Sequence, residues 1–284
     1  MTRSFLYPVD HLPARLDSVL ARFLGFGLRR CRLMIQEGGV LVDGRPCAKG
    51  VLVYPGQQVS VTTPEGGDPV CDDVCIVARS ERFAAVSKPG GLHTVAGRGE
   101  ACLEACLPEL GLDGWALLNR LDCLTSGLVL AVADAKGAEA YKVWQDAGQV
   151  CKWYLAVARG VVDCLEARGR ILDDKRRVVR VSGDEDEALR WTLARAVCRV
   201  HGNTLLLVRI FKGRRHQIRA HLAHAGHPLV GDPVYGAGEP DGLLLHHWRL
   251  YMPGFSASLP PDWPGINVGQ AEGLLNAFDF DPKR

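Results

Sequence analysis

Two stretches of the chain hold side chains able to do acid–base or nucleophilic work. The first is Leu118-Asn119-Arg120-Leu121-Asp122-Cys123-Leu124-Thr125-Ser126-Gly127-Leu128-Val129-Leu130. It reads as a loop running into a buried strand, which puts Asp122 at a strand mouth. Thr125 and Ser126 shape the turn by local hydrogen bonds, and Gly127 permits a backbone conformation that other residues resist. A carboxylate so placed can serve as nucleophile or base, or it can cap the turn and pair with Arg120. The second stretch runs Ile210-Phe211-Lys212-Gly213-Arg214-Arg215-His216-Gln217-Ile218-Arg219-Ala220-His221-Leu222, and His224 and His227 follow closely. His221 and His224 fall one helical turn apart, a spacing that suits a metal. No His-Glu-x-x-His and no acid in a ligand position accompany them, so no metal is expected. Contacts to phosphate or to a helix end are the better reading of these histidines.

The elements that must position these groups follow from periodicity. Apolar residues at 16, 19, 20, 23 and 24 line one face of a helix, with Gly25 and Gly27 to stop it. Leu28 to Glu37 gives a second short helix with Leu28, Cys31, Met34 and Ile35 inside and Arg29, Arg30 and Arg32 outside. Gly38-Gly39 ends it, Val40-Leu41-Val42 reads as a strand, Asp43-Gly44 as a hairpin turn and Gln58–Val61 as a closing strand. Residues 63–73, with Pro64, Gly66, Gly67 and Pro69, read as a linker. Beyond it, β-branched runs at 76–78, 84–86, 128–132, 154–157 and 205–208 alternate with helical stretches at 134–147 and about 214–226. The densely charged segment 163–190 reads as an exposed hairpin or insertion. These features predict an α+β body with a mixed or antiparallel sheet over 74–284.

The order of the motifs is more specific than any one of them. Lys-Pro-Gly-Gly at 88–91, Arg-Leu-Asp-x-x-Thr-Ser-Gly at 120–127 and Lys-Trp-Tyr at 152–154 come first. Gly-Arg-Arg-His-Gln-Ile-Arg-Ala-His at 213–221, Gly-His-Pro-Leu-Val-Gly-Asp-Pro-Val-Tyr-Gly at 226–236 and Leu245-His246 follow. This series resembles the RluA-type pseudouridine synthases over roughly residues 75–255. The helix–helix–sheet head of residues 1–62 resembles an S4-type RNA-binding domain, a common companion of that family. The resemblance implies a pseudouridine-synthase catalytic domain that isomerises uridines in RNA. Asp122 matches the family's essential aspartate, and Tyr154 the tyrosine that packs on the target base and can move a proton. Arg219 matches the basic partner of the aspartate, and Arg120 the side chain that can fill the gap left by a flipped uridine. Arg29, Arg30, Arg32, Lys88, Arg214 and His216 are the further expected RNA contacts. Asn119 stands where the family usually has His, and Arg215 where it has Thr or Ser. Both border the site and bear on substrate preference.

The chemistry agrees with these roles. Turning uridine into pseudouridine breaks an N-glycosidic bond and makes a C–C bond with no redox step or outside group, so no cofactor is expected. The aspartate must stay ionised in a pocket apolar enough to hold a base, which calls for an arginine partner. The flipped uridine needs an aromatic face to receive it.

The bulk numbers set the partners. With 284 residues, 47% hydrophobic and 23% charged, the chain has the composition of an ordinary folded globule of two domains. Net charge is only +2, but residues 1–62 carry eight Lys/Arg against four acids, which leaves −2 for the rest. A basic head on a near-neutral body fits a phosphate backbone. Ribosomal RNA is the favoured substrate because an S4-like head suits structured RNA, with tRNA the alternative. A non-catalytic RNA-binding protein would lack Asp122 or Tyr154. No apolar run approaches the length of a membrane span and the N-terminus lacks the apolar core of a signal peptide. A cytoplasmic monomer follows. The ten scattered cysteines are expected as plain thiols in a reducing compartment.

Overall fold

A computed structural model describes residues 2–24, 28–48, 50–62, 71, 73–96, 101–172, 178–238 and 242–277. Most of the expected linker, residues 63–70 and 72, lies outside the described residues. Among the described residues no helix is long and apolar enough to cross a membrane.

In the head, helices Leu16–Leu24 and Leu28–Gln36 share one core with a four-stranded antiparallel sheet. Its strand order is Thr2–Leu6, Gln58–Thr62, Val40–Val42, Arg45–Pro46. Leu16, Val19 and Leu20 face Cys31, Met34 and Ile35 across this core, as helical spacing requires. Asp43 and Gly44 both have positive φ, 49° and 74°, the pair of angles that a tight two-residue hairpin turn needs. The edge strand Thr2–Leu6 was not expected, because its alternation is weak and its pairing partner is more than fifty residues away.

Arg32 joins the head's core to a carboxylate elsewhere in the chain: its Nε donates to Asp17 Oδ2 at 2.9 Å and its Nη1 to Asp262 Oδ2 at 2.5 Å. Arg29 and Arg30 lie on the same helix, with side chains outside those the structure describes.

The body is built on a ten-stranded sheet. In spatial order its main strands are Cys164–Ala167, Thr192–Val200, Asn203–Ile210, Cys151–Ala158, Leu245–Met252, Ser126–Val132, Phe83–Lys88 and Ile76–Arg79. Side chains alternate between two cores along each strand. Tyr154 and Ala156 face one apolar cluster with Val129, Leu206 and Val208, while Leu155 and Val157 face another with Leu205 and Leu207. Burying each such Leu or Val contributes about 1.5–3 kcal/mol, which makes this sheet a rigid platform. The charged segment 163–190 holds the hairpin Gly169–Leu172/Arg180–Asp184, with residues 173–177 outside the described part.

All the main strands pair antiparallel except at one seam. Ser126 and Gly127 pair parallel with His246 and His247. At this seam Gly127 has φ +116°, and a Cβ there would overlap the His247 carbonyl oxygen and lie 2.5 Å from its nitrogen. Only glycine lets the two backbones approach so closely. The loop that carries Asp122 enters the sheet here.

The thiol expectation needs correction. Cys71 and Cys106 form a disulfide, with Cα atoms 5.3 Å apart. The chain at the end of the linker folds back on helix Leu103–Cys106, and both residues are buried there. The disulfide takes one member each of the close-spaced couples Cys71/Cys75 and Cys102/Cys106, so neighbour spacing could not reveal it.

Candidate active site

The Asp122 loop is held from behind by groups of the preceding segment. Thr94 is buried and grips Leu121 twice, its Oγ1 donating to the Leu121 carbonyl at 2.7 Å and accepting from the Leu121 N–H at 3.0 Å. Gly91 N–H donates to the Cys123 carbonyl at 2.8 Å. Lys88, only 1% exposed, donates from Nζ to the carbonyls of Pro89, Leu92 and Cys123 at 2.9, 2.7 and 3.0 Å. Burial pushes Lys88 down to about 7, while the Cys123 and Asp122 charges act in the opposite direction. Its three carbonyl acceptors use all three N–H groups of the ammonium form. The expected RNA contact of Lys88 is therefore corrected: its charge is enclosed and ties the Asp122 loop to residues 89–92. On the strand side, Asn119 Oδ1 accepts from Leu130 N–H at 2.7 Å and Thr125 N–H closes the turn on the Asp122 carbonyl at 3.0 Å. The departure at position 119 thus serves as a backbone brace.

The carboxylate itself meets a charged pair from the far motif. Arg219 Nη1 donates to Asp122 Oδ2 at 2.9 Å. The other side of the same guanidinium makes a two-point contact with Asp232, Nε to Oδ2 and Nη2 to Oδ1, both 2.8 Å. Asp232 is fully buried and Arg219 is 3% exposed, whereas the Asp122 side chain is 20% exposed. Burial alone would lower Arg219 and raise Asp232. The two carboxylates outweigh burial and push Arg219 further up, and the Arg219 fork pulls Asp232 below its usual range. The arrangement is a buried ion pair whose free Nη1 turns an N–H to Asp122. Asp232 is placed by its own loop, where Val230 N–H donates to the Val157 carbonyl at 2.8 Å, and its Oδ1 accepts from Val234 and Tyr235 N–H at 2.9 and 3.1 Å.

A cleft of about 720 Å³ opens on Asp122. Arg120, Tyr154, Arg214, Arg215 and His216 also line it. Tyr154 is 6% exposed and stacks on His247, ring centres 4.6 Å apart and planes 15° off parallel. Burial first, and then the Asp122 charge, raise the Tyr154 phenol well above its usual value, so it keeps its proton. Arg120 and Arg214 are exposed, and Arg214 has an ion pair to Glu185 at 3.5 Å. His216 caps helix Gln217–His224 with φ +56°, an uncommon angle for a residue with a side chain. Its ring faces Tyr235 and Asp122, with Nδ1 3.0 Å from Tyr235 Oη and Nε2 3.9 Å from Asp122 Oδ1. His221, the best-spaced metal candidate, is buried between Thr192 Oγ1 at 2.8 Å and the Gly169 carbonyl at 2.7 Å.

The structure thus brings Asp122, Arg219, Tyr154, His216, Arg120 and Arg214 to one place, and leaves Lys88 and Arg32 in structural contacts. Sequence reasoning missed Asp232, Tyr235, Thr94 and His247. The Gly-Asp-Pro-Val-Tyr-Gly run was visible, but nothing in its spacing shows that its acid would grip Arg219. No residue-type signal marks the second histidine of His246-His247 as the floor under Tyr154.

Comparison with known proteins gives the family. Residues 82–224 match the family model described as RNA pseudouridylate synthase. A ribosomal large subunit pseudouridine synthase D of Neisseria meningitidis (serogroup A) is 32% identical over 81% of this chain and 65% of its own length. The chain therefore spans just under two thirds of that relative. An uncharacterized RNA pseudouridine synthase of Aquifex aeolicus is 30% identical over 96% of both chains. Among solved structures, human RNA pseudouridylate synthase domain containing 1 shares the fold, with TM-score 0.53 and 21% identity over 70% of this chain and 86% of its own. The match across half of the chain and the near full-length relative establish that this chain belongs to the RNA pseudouridylate synthase family.

Proposed function

We propose that this chain converts uridine to pseudouridine in structured RNA, with large-subunit ribosomal RNA as the favoured substrate and Asp122 as the catalytic carboxylate. The observation that carries this reading is an ion-paired carboxylate aimed into a cleft that also holds a protonated, buried tyrosine. The reaction breaks the bond from N1 to C1′, turns the base and joins C5 to C1′. The proton lost from C5 is matched by one gained at N1, so substrate and product have the same formula and no oxidant, reductant or group donor enters. Asp122 acts at the sugar as nucleophile or base while Arg219 stabilises its charge. Tyr154, backed by His247, offers its open face to the flipped base and its O–H to the proton movements. The choice of ribosomal RNA draws support from the name of the Neisseria relative. The net +4 of residues 1–62 supports an RNA-binding role for the head. Arg214 and Arg215 supply positive charge along the cleft for backbone phosphates, and Arg120 stands where it can fill the gap left by the flipped uridine.

The test is to incubate purified protein with large-subunit ribosomal RNA and with tRNA and to map pseudouridine in each. Wild type is expected to modify the ribosomal RNA, and Asp122→Asn to give no product while binding RNA normally. Product from the Asn variant above a no-enzyme control would remove Asp122 from the chemistry. Modification of tRNA alone would overturn the substrate assignment.

A further inference from the structure

Asp122 has two oxygens, and Arg219 takes only one. The other, Oδ1, faces His216 Nε2 at 3.9 Å, an ion-pair distance one small rotation away from a hydrogen bond. Catalytic hydrogen bonds are often long before substrate arrives and shorten in the complex. Whether Nε2 carries a proton is therefore decisive, and the surroundings answer it. Tyr235 Oη already accepts the Val179 N–H at 2.9 Å, and it lies 3.0 Å from His216 Nδ1. With Val179 N–H on one lone pair, the arrangement that keeps the Tyr235 proton inside the site donates it to Nδ1, and a neutral ring then carries hydrogen on Nε2. Burial, as the largest influence, lowers the His216 pKa below its usual value. The Arg219 and Arg215 charges act in the same direction, against Asp122 and Asp232. The ring is thus neutral near pH 7 and presents N–H to Asp122. Its uncommon φ of +56° is a further sign that the fold holds this side chain in place for a purpose.

Tyr235 is in turn fixed from three directions. Its N–H is bound by Asp232 Oδ1, its ring lies beneath the Arg219 guanidinium at 5.3 Å, and its oxygen is held by buried Val179, the residue just before the hairpin strand Arg180–Asp184. Val179 packs with Ile171 and Ala220, so the hairpin is seated on helix Gln217–His224.

Resting on the function proposed above, we infer that His216 is a positioning residue. It orients the second oxygen of Asp122 through Nε2–H, in a tautomer that Tyr235 and Val179 impose. With Arg219 on Oδ2 and His216 on Oδ1, the carboxylate has one rotation about its bond to Cβ available, and that rotation aims it at the bound nucleotide.

Two measurements test this, and the first needs no substrate. Nitrogen NMR of histidine-labelled protein should show His216 as the Nε2–H tautomer in wild type and a mixture in Tyr235→Phe. An Nδ1–H tautomer in wild type overturns the inference, whatever the enzyme modifies. The second measures single-turnover rate at saturating enzyme. His216→Ala should slow the reaction by roughly tenfold to a hundredfold, the scale of a misaimed catalytic group, with RNA affinity almost unchanged. His216→Gln, whose amide N–H can stand in for Nε2–H, should recover most of the rate. In Tyr235→Phe the loss of a hydrogen bond to the neutral ring should raise the His216 pKa, which the same nitrogen spectra read as pH is lowered. Equal rates for the Ala and Gln variants, or an Ala variant within about twofold of wild type, overturn the positioning role. Failure of the function itself would show differently, as wild type making no pseudouridine while the tautomer is as stated.

Discussion

In the head, Asp17 is 4% exposed and takes Arg15 Nε on Oδ1 at 3.1 Å and Arg32 Nε on Oδ2 at 2.9 Å. The remaining arm of Arg32 reaches Asp262, whose side chain is 76% exposed. In the body, Asp232 is fully buried, Arg219 grips it at two points, and the remaining arm reaches Asp122, which is 20% exposed and lines a cleft. Both regions use a buried aspartate, an arginine and a second carboxylate. They differ in where the second carboxylate lies. Asp262 stands in water, which competes for the arginine and leaves the contact worth about 0–1 kcal/mol. Asp122 stands where water is scarcer and a base can enter, so the same contact fixes the direction of a reactive group. An ion-pair chain marks a site when its last member faces an enclosed space, and marks a docking contact when that member faces solvent.

The largest break in this comparison is expected from Arg219→Met. The substitution strands a buried Asp232 as well as releasing Asp122, and removing one partner of a buried pair costs about 3–5 kcal/mol. Urea unfolding should show that loss, and the fraction that remains folded should still turn over far more slowly than wild type. The pH dependence carries a sign. In wild type the folded pKa of Asp232 lies below its unfolded value, with Arg219 outweighing burial. Its contribution is therefore complete above about pH 4 and is lost as pH falls further. Without Arg219, burial governs and raises Asp232. The deficit of the Met variant should then be greatest at neutral pH and shrink as pH falls and the carboxyl takes a proton. A variant within about 1 kcal/mol of wild type at pH 7 would mean that the pair is not a structural anchor.

Arg32→Ala should have a smaller effect. Asp17 keeps Arg15 and the Ser18 N–H at 3.1 Å, so no carboxylate is stranded. A cost of about 1–2 kcal/mol is expected, the scale of one charged hydrogen bond. Turnover on RNA at saturating enzyme should stay near wild type. A loss as large as that of Arg219→Met would erase the distinction between the two chains of charge.

These two arginines also show what the sequence carries and what it withholds. Arg219 is legible because its motif places it, and the carboxylate it meets is 97 positions away in another motif. Arg32 reads as a solvent-facing helix residue, and only the fold brings Asp262 to it from 230 positions on. The strands at 76–79, 83–88, 126–132, 151–158 and 203–210 grow from apolar runs that periodicity finds directly. Strand Thr192–Val200 does not announce itself. Arginines at 195 and 199 break its apolar run, and pairing with Asn203–Ile210 and Cys164–Ala167 supplies the order instead. Asp232 and Tyr235 were legible as letters of a motif, but their roles exist only as contacts to Arg219 and His216. Lys88 misleads for a related reason. A lysine beside glycines and proline resembles a phosphate contact, and nothing local reveals that three carbonyls enclose it.

The smallest effect on the protein itself is expected at Arg120. Among the described residues it has no ion-pair partner, and it lies exposed on the cleft two positions before Asp122. Its loss strands nothing, so Arg120→Ala should change stability by no more than about 0.5 kcal/mol. Its consequence should lie in the RNA. When the target uridine leaves its stack, a planar guanidinium can enter the vacated space and hydrogen-bond the bases left behind. That help matters most where unstacking is costly, a few kcal/mol in a structured site, and least where the uridine is already unstacked. The measurement is single-turnover rate at saturating enzyme on two RNAs, one holding the uridine in a folded stem-loop and one in a flexible strand. The Ala variant should be slowed about tenfold or more on the folded RNA, equivalent to about 1.4 kcal/mol of lost help, and little on the flexible one. An equal fractional loss on both would place Arg120 with Arg219 and His216, as another hand on Asp122. The cleft arginine would then belong to the body's chain of charge and have no separate part in opening the RNA.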